Sequence, residues 1–252
     1  MMSIGAITAI VAVMILTITV PLGTMLFLHK RGGAWSAFLT GAGTFILFAM
    51  LLEQLLHSLV LFSGAGAVIQ GNIWLYGLYG GLAAGIFEET GRLLAFRFVL
   101  HRRKERITAL AYGIGHGGCE AFLVAGLTML NNLIIGLAYT HSGTVPPEAA
   151  AVAEVLIATP AGTFLWSGFE RLTAMGLHMA LSVLVFACVR ANRRWLYPAA
   201  ILIHAAVDFA AVTANAYLPI ADTELLVLAL TAAAVLWAAR IYKNLPKDTS
   251  GA

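Results

Sequence analysis

Long apolar stretches separated by short polar connections run along the whole chain. Seven of them are long enough to cross the roughly 30 Å hydrocarbon core of a bilayer, which takes about 20 mostly apolar residues. They cover residues 4–28, 35–62, 73–100, 107–139, 164–189, 196–218 and 224–241. Because a backbone inside lipid must satisfy its own hydrogen bonds, each stretch predicts a transmembrane helix. We number these predicted spans 1 to 7.

The connections between the spans are short, so the pattern predicts one all-α domain of seven transmembrane helices over residues 1–252. The longest connection, residues 141–163, is rich in alanine and contains three prolines. It predicts a short helix that lies on the outer face or covers the bundle. Span 1 has neither a basic segment before it nor a clear small-x-small cleavage site, so we expect it to be retained rather than removed as a signal peptide.

Basic residues occur only in alternate connections, and this charge pattern predicts the topology. Connections with lysine and arginine stay on the cytoplasmic side, which places the N-terminus outside and the C-terminus inside a multi-pass protein of the plasma membrane. The basic residues follow spans 1, 3, 5 and 7 at Lys30, Arg31, Arg102, Arg103, Lys104, Arg106, Arg190, Arg193, Arg194, Arg240, Lys243 and Lys247.

Composition excludes several classes of protein. Hydrophobic residues make up 60% of the chain and charged residues 11%, whereas a soluble domain carries roughly 25% charged residues. The mean hydropathy is +0.89. The formal charge of +3 is small and spread over loops, so a nucleic-acid partner is not expected. The two cysteines, Cys119 and Cys188, lie in apolar stretches and predict buried thiols rather than a disulfide scaffold or a cysteine-rich zinc site.

Many ionisable side chains nevertheless lie inside the predicted spans. A charge near the bilayer centre costs about 2.5–3.5 kcal/mol, so these groups must pair, lose their charge or face a wet cavity. An interhelical hydrogen bond explains any single one, but so many on adjacent helices exceed what packing requires. They are Glu53, His57, Glu88, Glu89, Arg92, Arg97, His116, Glu120, Glu170, Arg171, His178, His204 and Asp208.

The spacing of these residues predicts where they meet. At about 1.5 Å per residue, Glu89, His116 and His204 lie roughly 12–18 Å from the predicted cytoplasmic ends of their helices. We therefore predict that they converge in one cavity that opens toward the cytoplasm. Glu53, His57 and Glu170 lie nearer the outer side, where they form a second polar layer or line an access path. Residues four apart share a helix face, which applies to Glu53 and His57, Glu88 and Arg92, His116 and Glu120, and His204 and Asp208.

The chemistry that such a cavity supports is the activation of water. A carboxylate in a low-dielectric site is a usable general base near neutral pH, and a neighbouring imidazole can share the proton. A second imidazole with an acidic partner, here His204 with Asp208, can stabilise an oxyanion. Neither a serine nor a cysteine has a base at helical spacing in this layer, which disfavours a covalent mechanism. Gly113 and Gly117 predict a close approach of another helix to His116 rather than a dinucleotide site.

Three motifs carry a resemblance to a known group of membrane proteins: Glu88-Glu89-Thr-Gly-Arg92, Tyr112-xxx-His116 with Glu120, and His204-xxx-Asp208. Their order and membrane setting resemble the glutamate-dependent intramembrane proteases, a superfamily that includes the CAAX prenyl endopeptidases and PrsW. Within this superfamily the chain is most similar to the bacterial YhfC family. The chain also resembles the seven-helix scaffold subunit of γ-secretase.

The resemblance implies an endopeptidase that hydrolyses a membrane-embedded or membrane-associated peptide with an activated water. Glu88 or Glu89 would activate this water together with His116, and the motifs leave open which glutamate is the base. His204 and Asp208 would form the oxyanion-stabilising pair. The residues expected to support the polar cavity are Arg92, Glu120, His178, Glu53 and His57, and the similarity to the scaffold subunit implies that His178 faces it.

Metal dependence and two other functions stay open at this stage. The motifs require no metal, although Glu88, Glu89, His116, His204 and Asp208 are of the residue types that ligate zinc. A non-catalytic scaffold or binding protein could use the same polar cavity for assembly. A proton-coupled carrier is the third alternative because paired acids and histidines also form proton relays, but the hydropathy pattern shows no inverted repeat.

Overall fold

The computed structural model describes residues 1–246, and in this range the chain is helical without strands. The all-α fold class is confirmed. Lys247, which the charge pattern includes in the basic C-terminal segment, lies outside the described residues. The helices are α1 (Ile4–His29), α2 (Trp35–Leu61), α3 (Gly64–Gln70), α4 (Ile73–Leu94, continued by a π-helical turn over Ala95–Val99), α5 (Ile107–Ser142), α6 (Pro147–Ala158), α7 (Ala161–Arg190), α8 (Leu196–Asn215) and α9 (Ile220–Lys243).

Within residues 1–246, six helices are long and apolar enough to cross a membrane, namely α1, α2, α5, α7, α8 and α9. They correspond to spans 1, 2, 4, 5, 6 and 7. Span 3 forms α4, which is less apolar because it carries Glu88, Glu89, Arg92 and Arg97. The crossing of the bilayer by α4 and the orientation of the termini therefore stay predictions. The short helix expected in the longest connection is α6.

Helix α7 is the central helix of the bundle. About 67% of its most apolar segment is buried inside the protein, against 22–33% for the other five apolar helices. It packs against α1, α5 and α9, while α4 packs against α8 and α5 packs against α2. Because the outer helices leave most of their apolar surface uncovered by protein, lipid is the solvent that this surface fits.

Glycines set the distance between the helices that carry the polar residues. A Cβ atom on Gly113 would lie 2.6 Å from the Cα atom of Met179, and one on Gly117 would lie 3.0 Å from the Cα atom of Met175. The predicted close approach at these glycines is therefore confirmed, and the neighbouring helix is α7. As a result, the rings of His116 on α5 and His178 on α7 lie with their centroids 4.7 Å apart.

A matched pair of glycines on α2 tests this packing. A Cβ atom on Gly41 would overlap the carbonyl oxygen of Tyr112 and lie 2.9 Å from the backbone nitrogen of His116, whereas one on Gly43 meets no atom within 4 Å. We expect Gly41→Ala to lower the free energy of unfolding by about 1–3 kcal/mol. Gly43→Ala should raise it by up to about 1 kcal/mol, because alanine favours a helix. Unfolding of the purified protein by SDS measures both, and equal effects would contradict the close contact.

Candidate active site

Three imidazole rings stand side by side in the middle of the bundle, one each from α5, α7 and α8. The ring centroids of His116 and His178 are 4.7 Å apart, and those of His178 and His204 are 5.4 Å apart. All three side chains are buried. Helix α4 faces them with two consecutive glutamates, Glu88 and Glu89, which are also buried. The convergence expected of the third, fourth and sixth spans is therefore present, and the fifth span contributes as well.

Glu88 lies at the centre of this group. Its Oε2 atom accepts a hydrogen bond from Nε2–H of His116 at 2.8 Å. The same oxygen is 3.9 Å from Nδ1 of His178. Donor atoms of Glu88, His178 and His204 all lie within 4.8 Å of one another. We call these three residues the donor cluster.

Glu89 is engaged by an arginine instead. The guanidinium group of Arg92 donates to both carboxylate oxygens of Glu89, and both residues are completely buried. Arg92 therefore pairs with Glu89 and not with Glu88. Although Glu88 and Arg92 were expected to share a helix face, they form no ion pair within the described residues. Arg92 also donates through Nη2 to Nδ1 of His178 at 3.1 Å.

His178 and His204 each have a carboxylate against one ring nitrogen. Nδ1–H of His204 donates to Oε1 of Glu89 at 2.9 Å, and Nε2 of His178 lies 2.5 Å from Oε2 of Glu120. Glu120 in turn accepts a hydrogen bond from Arg171 at 2.6 Å. Such carboxylates fix the tautomer and the orientation of an imidazole. They leave the lone pairs on Nδ1 of His178 and on Nε2 of His204.

A cavity of about 100 Å³ adjoins the donor cluster. Because a water molecule in the liquid takes about 30 Å³, this cavity has room for several. Beyond the cluster it extends past Asp208 to Glu170 and Glu224, toward the end of the bundle with the acidic connections. The expected cytoplasmic opening is therefore wrong under the predicted topology. The polar lining residues are Glu88, Glu120, Glu170, Arg171, His178, His204, Asp208, Glu224 and Thr231.

The predicted catalytic residues separate into two groups. Glu88, His204 and Asp208 line the cavity, whereas Glu89 and His116 lie behind its wall and contact the lining residues. Asp208 stands in the cavity with Oδ2 3.5 Å from Nε2 of His204, and its side chain is 36% exposed. The pairing of His204 with Asp208 that the spacing indicates is thus present.

Among the residues expected to support the cavity, Glu120 and His178 line it directly. Helical spacing favours a partnership of Glu120 with His116, but Glu120 contacts α7 instead. It ends the first α-helical part of α5, immediately before a π-helical turn over Ala121–Gly126, and such turns are frequent at functional sites.

Sequence reasoning missed Glu224, whose buried Oε2 lacks a hydrogen bond within the described residues. Its signal is an acid that follows Asp222 in the first turns of an otherwise apolar helix.

Glu53 and His57 form a separate pair on α2. Nε2 of His57 is 3.2 Å from Oε1 of Glu53, and Nδ1 is 2.9 Å from the hydroxyl group of Tyr79 on α4. Neither residue of the pair lines the cavity of the donor cluster. Of the two roles left open, Glu53 and His57 fit a second polar layer, whereas Glu170 lines the cavity. Tyr79 is the partner that the sequence did not reveal.

The donor cluster fits a zinc ion. Two imidazoles and one carboxylate beside a wet cavity make a ligand set of the kind that catalytic zinc sites use, and each imidazole has the carboxylate partner that such sites have behind their ligands. This ligand set differs from the candidates that the motifs offer. It includes His178, which was not among them, and it leaves out Glu89, His116 and Asp208. Arg92 donates to Nδ1 of His178, so Arg92 and a metal ion would compete for that lone pair.

Comparison with known proteins identifies the family of the chain. The family model described as YhfC intramembrane metalloprotease matches residues 14–228, which include every residue of the donor cluster. An uncharacterized membrane protein YhfC of Bacillus subtilis (strain 168) is 34% identical over 230 residues, covering 86% of this chain and 89% of the relative. No solved structure matches the chain. The chain is a multi-pass membrane protein, and it belongs to the YhfC intramembrane metalloprotease family.

Proposed function

We propose that the chain is an intramembrane endopeptidase that hydrolyses a peptide bond of a membrane-embedded or membrane-associated substrate at the donor cluster. One observation supports this most directly: donor atoms of Glu88, His178 and His204 lie within 4.8 Å of one another beside a cavity with room for water. Membership of a family described as intramembrane metalloproteases supports the same reaction class.

Glu88, His178 and His204 would hold a zinc ion in this proposal. A bound zinc ion makes water acidic enough to supply hydroxide near neutral pH and polarises a peptide carbonyl. The protein's contribution is orientation. His116 holds the carboxylate of Glu88 through its hydrogen bond of 2.8 Å, while Glu120 and Glu89 hold the imidazoles of His178 and His204.

Asp208 is the general base that fits this arrangement best. It lines the cavity, it is outside the donor cluster, and within the described residues no arginine forms an ion pair with it. Its carboxylate would take a proton from the attacking water and deliver it to the nitrogen of the leaving amine. Glu120 is less suited to this role because Arg171 neutralises it.

The cavity is large enough for water and too small for a helical segment of a substrate. At about 100 Å³, it holds a few water molecules, whereas a helix with its side chains is about 10 Å wide. Substrate entry therefore requires the lining helices to separate. The part of the wall formed by α9 contributes Glu224, Val227 and Thr231, so these residues would lie beside an entering peptide.

Metal removal tests this proposal. We expect 1,10-phenanthroline to abolish cleavage of a fluorogenic transmembrane peptide by the purified protein in detergent, and zinc to restore it. The purified protein should contain about one zinc ion per chain. His178→Ala and His204→Ala should each lose the metal, whereas His57→Ala removes a membrane imidazole outside the donor cluster and should retain it. Cleavage at an undiminished rate by a metal-free preparation would contradict the metal-dependent form of the proposal.

A further inference from the structure

A second cavity, of about 620 Å³, lies at the opposite end of the bundle from the acidic connections. It is an open pocket lined by the last turn of α4, the end of α7 and the start of α8. Three arginines line it, Arg97, Arg190 and Arg194, and no acidic residue does within the described residues. It shares no lining residue with the cavity of the donor cluster. We call it the arginine pocket.

Arg190 holds the wall of the arginine pocket in place. Its Nη2 atom donates to the carbonyl oxygens of Phe96 at 3.2 Å and Leu100 at 2.7 Å, at the end of α4. Both acceptors are neutral. Glu105 attracts the guanidinium group electrostatically but forms no ion pair with it within the described residues. The side chain is therefore structural as well as cationic, and it is unsuitable for a substitution that must leave the fold intact.

The positive charges of Arg97 and Arg194 have no carboxylate partner within the described residues. Both side chains are exposed, and within the described residues neither forms an ion pair with a carboxylate. Nε of Arg194 donates to the side-chain oxygen of Asn192 at 3.3 Å. Asn192 adopts a left-handed conformation with φ of 52°, which asparagine tolerates better than most residues. The turn at Asn192 lets the short connection bring α8 back beside the end of α7.

Exposed apolar side chains flank the arginine pocket. Phe98 is 62% exposed, Val99 66% and Trp195 58%. They lie at helix ends, and an indole at a helix end is typical of the membrane–water interface. Cationic side chains therefore stand directly beside a surface that suits hydrocarbon.

We propose that the arginine pocket binds the phosphate group of an anionic phospholipid, whose acyl chains run along Phe98 and Val99. Three arginines and no carboxylate line the pocket, so it favours an anion. Guanidinium groups match the geometry of a phosphate. Basic pockets between transmembrane helices are typical sites for anionic headgroups. A volume of 620 Å³ accommodates a headgroup together with water.

Native mass spectrometry of the detergent-purified protein tests this proposal through the dissociation constant for dioctanoyl phosphatidylglycerol. The double variant Arg97→Gln/Arg194→Gln should bind about 30-fold more weakly. The double variant Arg102→Gln/Lys104→Gln removes the same charge from exposed positions of the neighbouring connection, outside the pocket, and should change binding by less than about threefold. Arg97→Lys/Arg194→Lys keeps the charge and should recover most of the affinity.

Three outcomes would overturn the proposal. The first is an equal loss of lipid affinity in the two glutamine double variants, which would indicate that the lipid is attracted by the overall positive charge of this end of the protein. The second is phosphatidylcholine binding as tightly as phosphatidylglycerol. The third is inorganic phosphate or glycerol phosphate displacing the lipid at equal concentration, which identifies a free anion as the ligand. If the glutamine double variant unfolds without lipid, the single variants Arg97→Gln and Arg194→Gln give the same comparison.

Discussion

Replacing Glu88 by glutamine is expected to reduce the cleavage rate of a transmembrane peptide by on the order of 10³-fold. Glutamine keeps the size of the side chain but loses the negative charge and one of the two acceptor oxygens. Either loss disables a residue that receives a hydrogen bond from His116 and belongs to the donor cluster. Single-turnover cleavage in detergent, with peptide in excess over its Kd, measures the chemical step apart from substrate binding.

Glu53→Gln is the matched control for this variant. Glu53 is also a buried glutamate paired with a membrane histidine, but it does not line the cavity of the donor cluster. We expect its cleavage rate to stay within about tenfold of wild type, because only interactions that strengthen in the transition state change the chemical step. A wild-type rate in Glu88→Gln would show that the reaction does not need Glu88, and it would contradict the donor cluster as the active site.

The helices were predictable because the bilayer dictates their length. A spanning segment needs about 20 apolar residues, and six such helices are found among residues 1–246. The polar centre was predictable for a related reason, since a charge in lipid is costly unless it is paired. These two constraints predicted that Glu89, His116 and His204 meet, and helical spacing paired His204 with Asp208. Glu88, which lines the cavity, was put forward by the resemblance.

The pairing of the charges was not predictable in the same way. Residues three and four apart both share a helix face, so the spacing permits Arg92 to join either Glu88 or Glu89. Neighbouring positions on a helix point about 100° apart, and only tertiary packing decides which glutamate faces the water. His178 was identified only by resemblance, because its partners lie on other helices. Such partners leave no periodic signal in the sequence.

The direction in which the cavity opens was not predicted correctly, because the number of residues from a helix end does not give the position of a side chain along the membrane normal. Counting residues from the predicted cytoplasmic ends assumes straight helices of equal length perpendicular to the membrane. The helices differ, since α5 has 36 residues, α7 has 30 and α8 has 20. The acids that extend the cavity, Glu170 and Glu224, lie in the first half of α7 and the first turns of α9. They therefore open it away from the basic connections.

Arg92→Met is expected to lower the free energy of unfolding by about 3–5 kcal/mol, the cost of breaking a buried ion pair by removing one partner. Glu89 is completely buried, and within the described residues its other hydrogen-bond partner is His204. Without Arg92, its negative charge would lack the cation that compensates it. Unfolding of the purified protein by SDS measures the loss, and the methionine side chain keeps most of the volume of the arginine stem.

Two further variants separate the ion pair from other effects of the substitution. Arg97→Met removes an exposed arginine five residues further along the same chain segment, and it should change stability by no more than about 0.5 kcal/mol. Glu89→Gln/Arg92→Met removes both charges while keeping an acceptor for His204, so it should recover most of the stability. If the double variant is no more stable than Arg92→Met alone, the arginine acts by packing. If the double variant regains stability, Arg92 acts as the counterion of Glu89. Of the two consecutive glutamates, Glu88 is then the one that Arg92 does not neutralise.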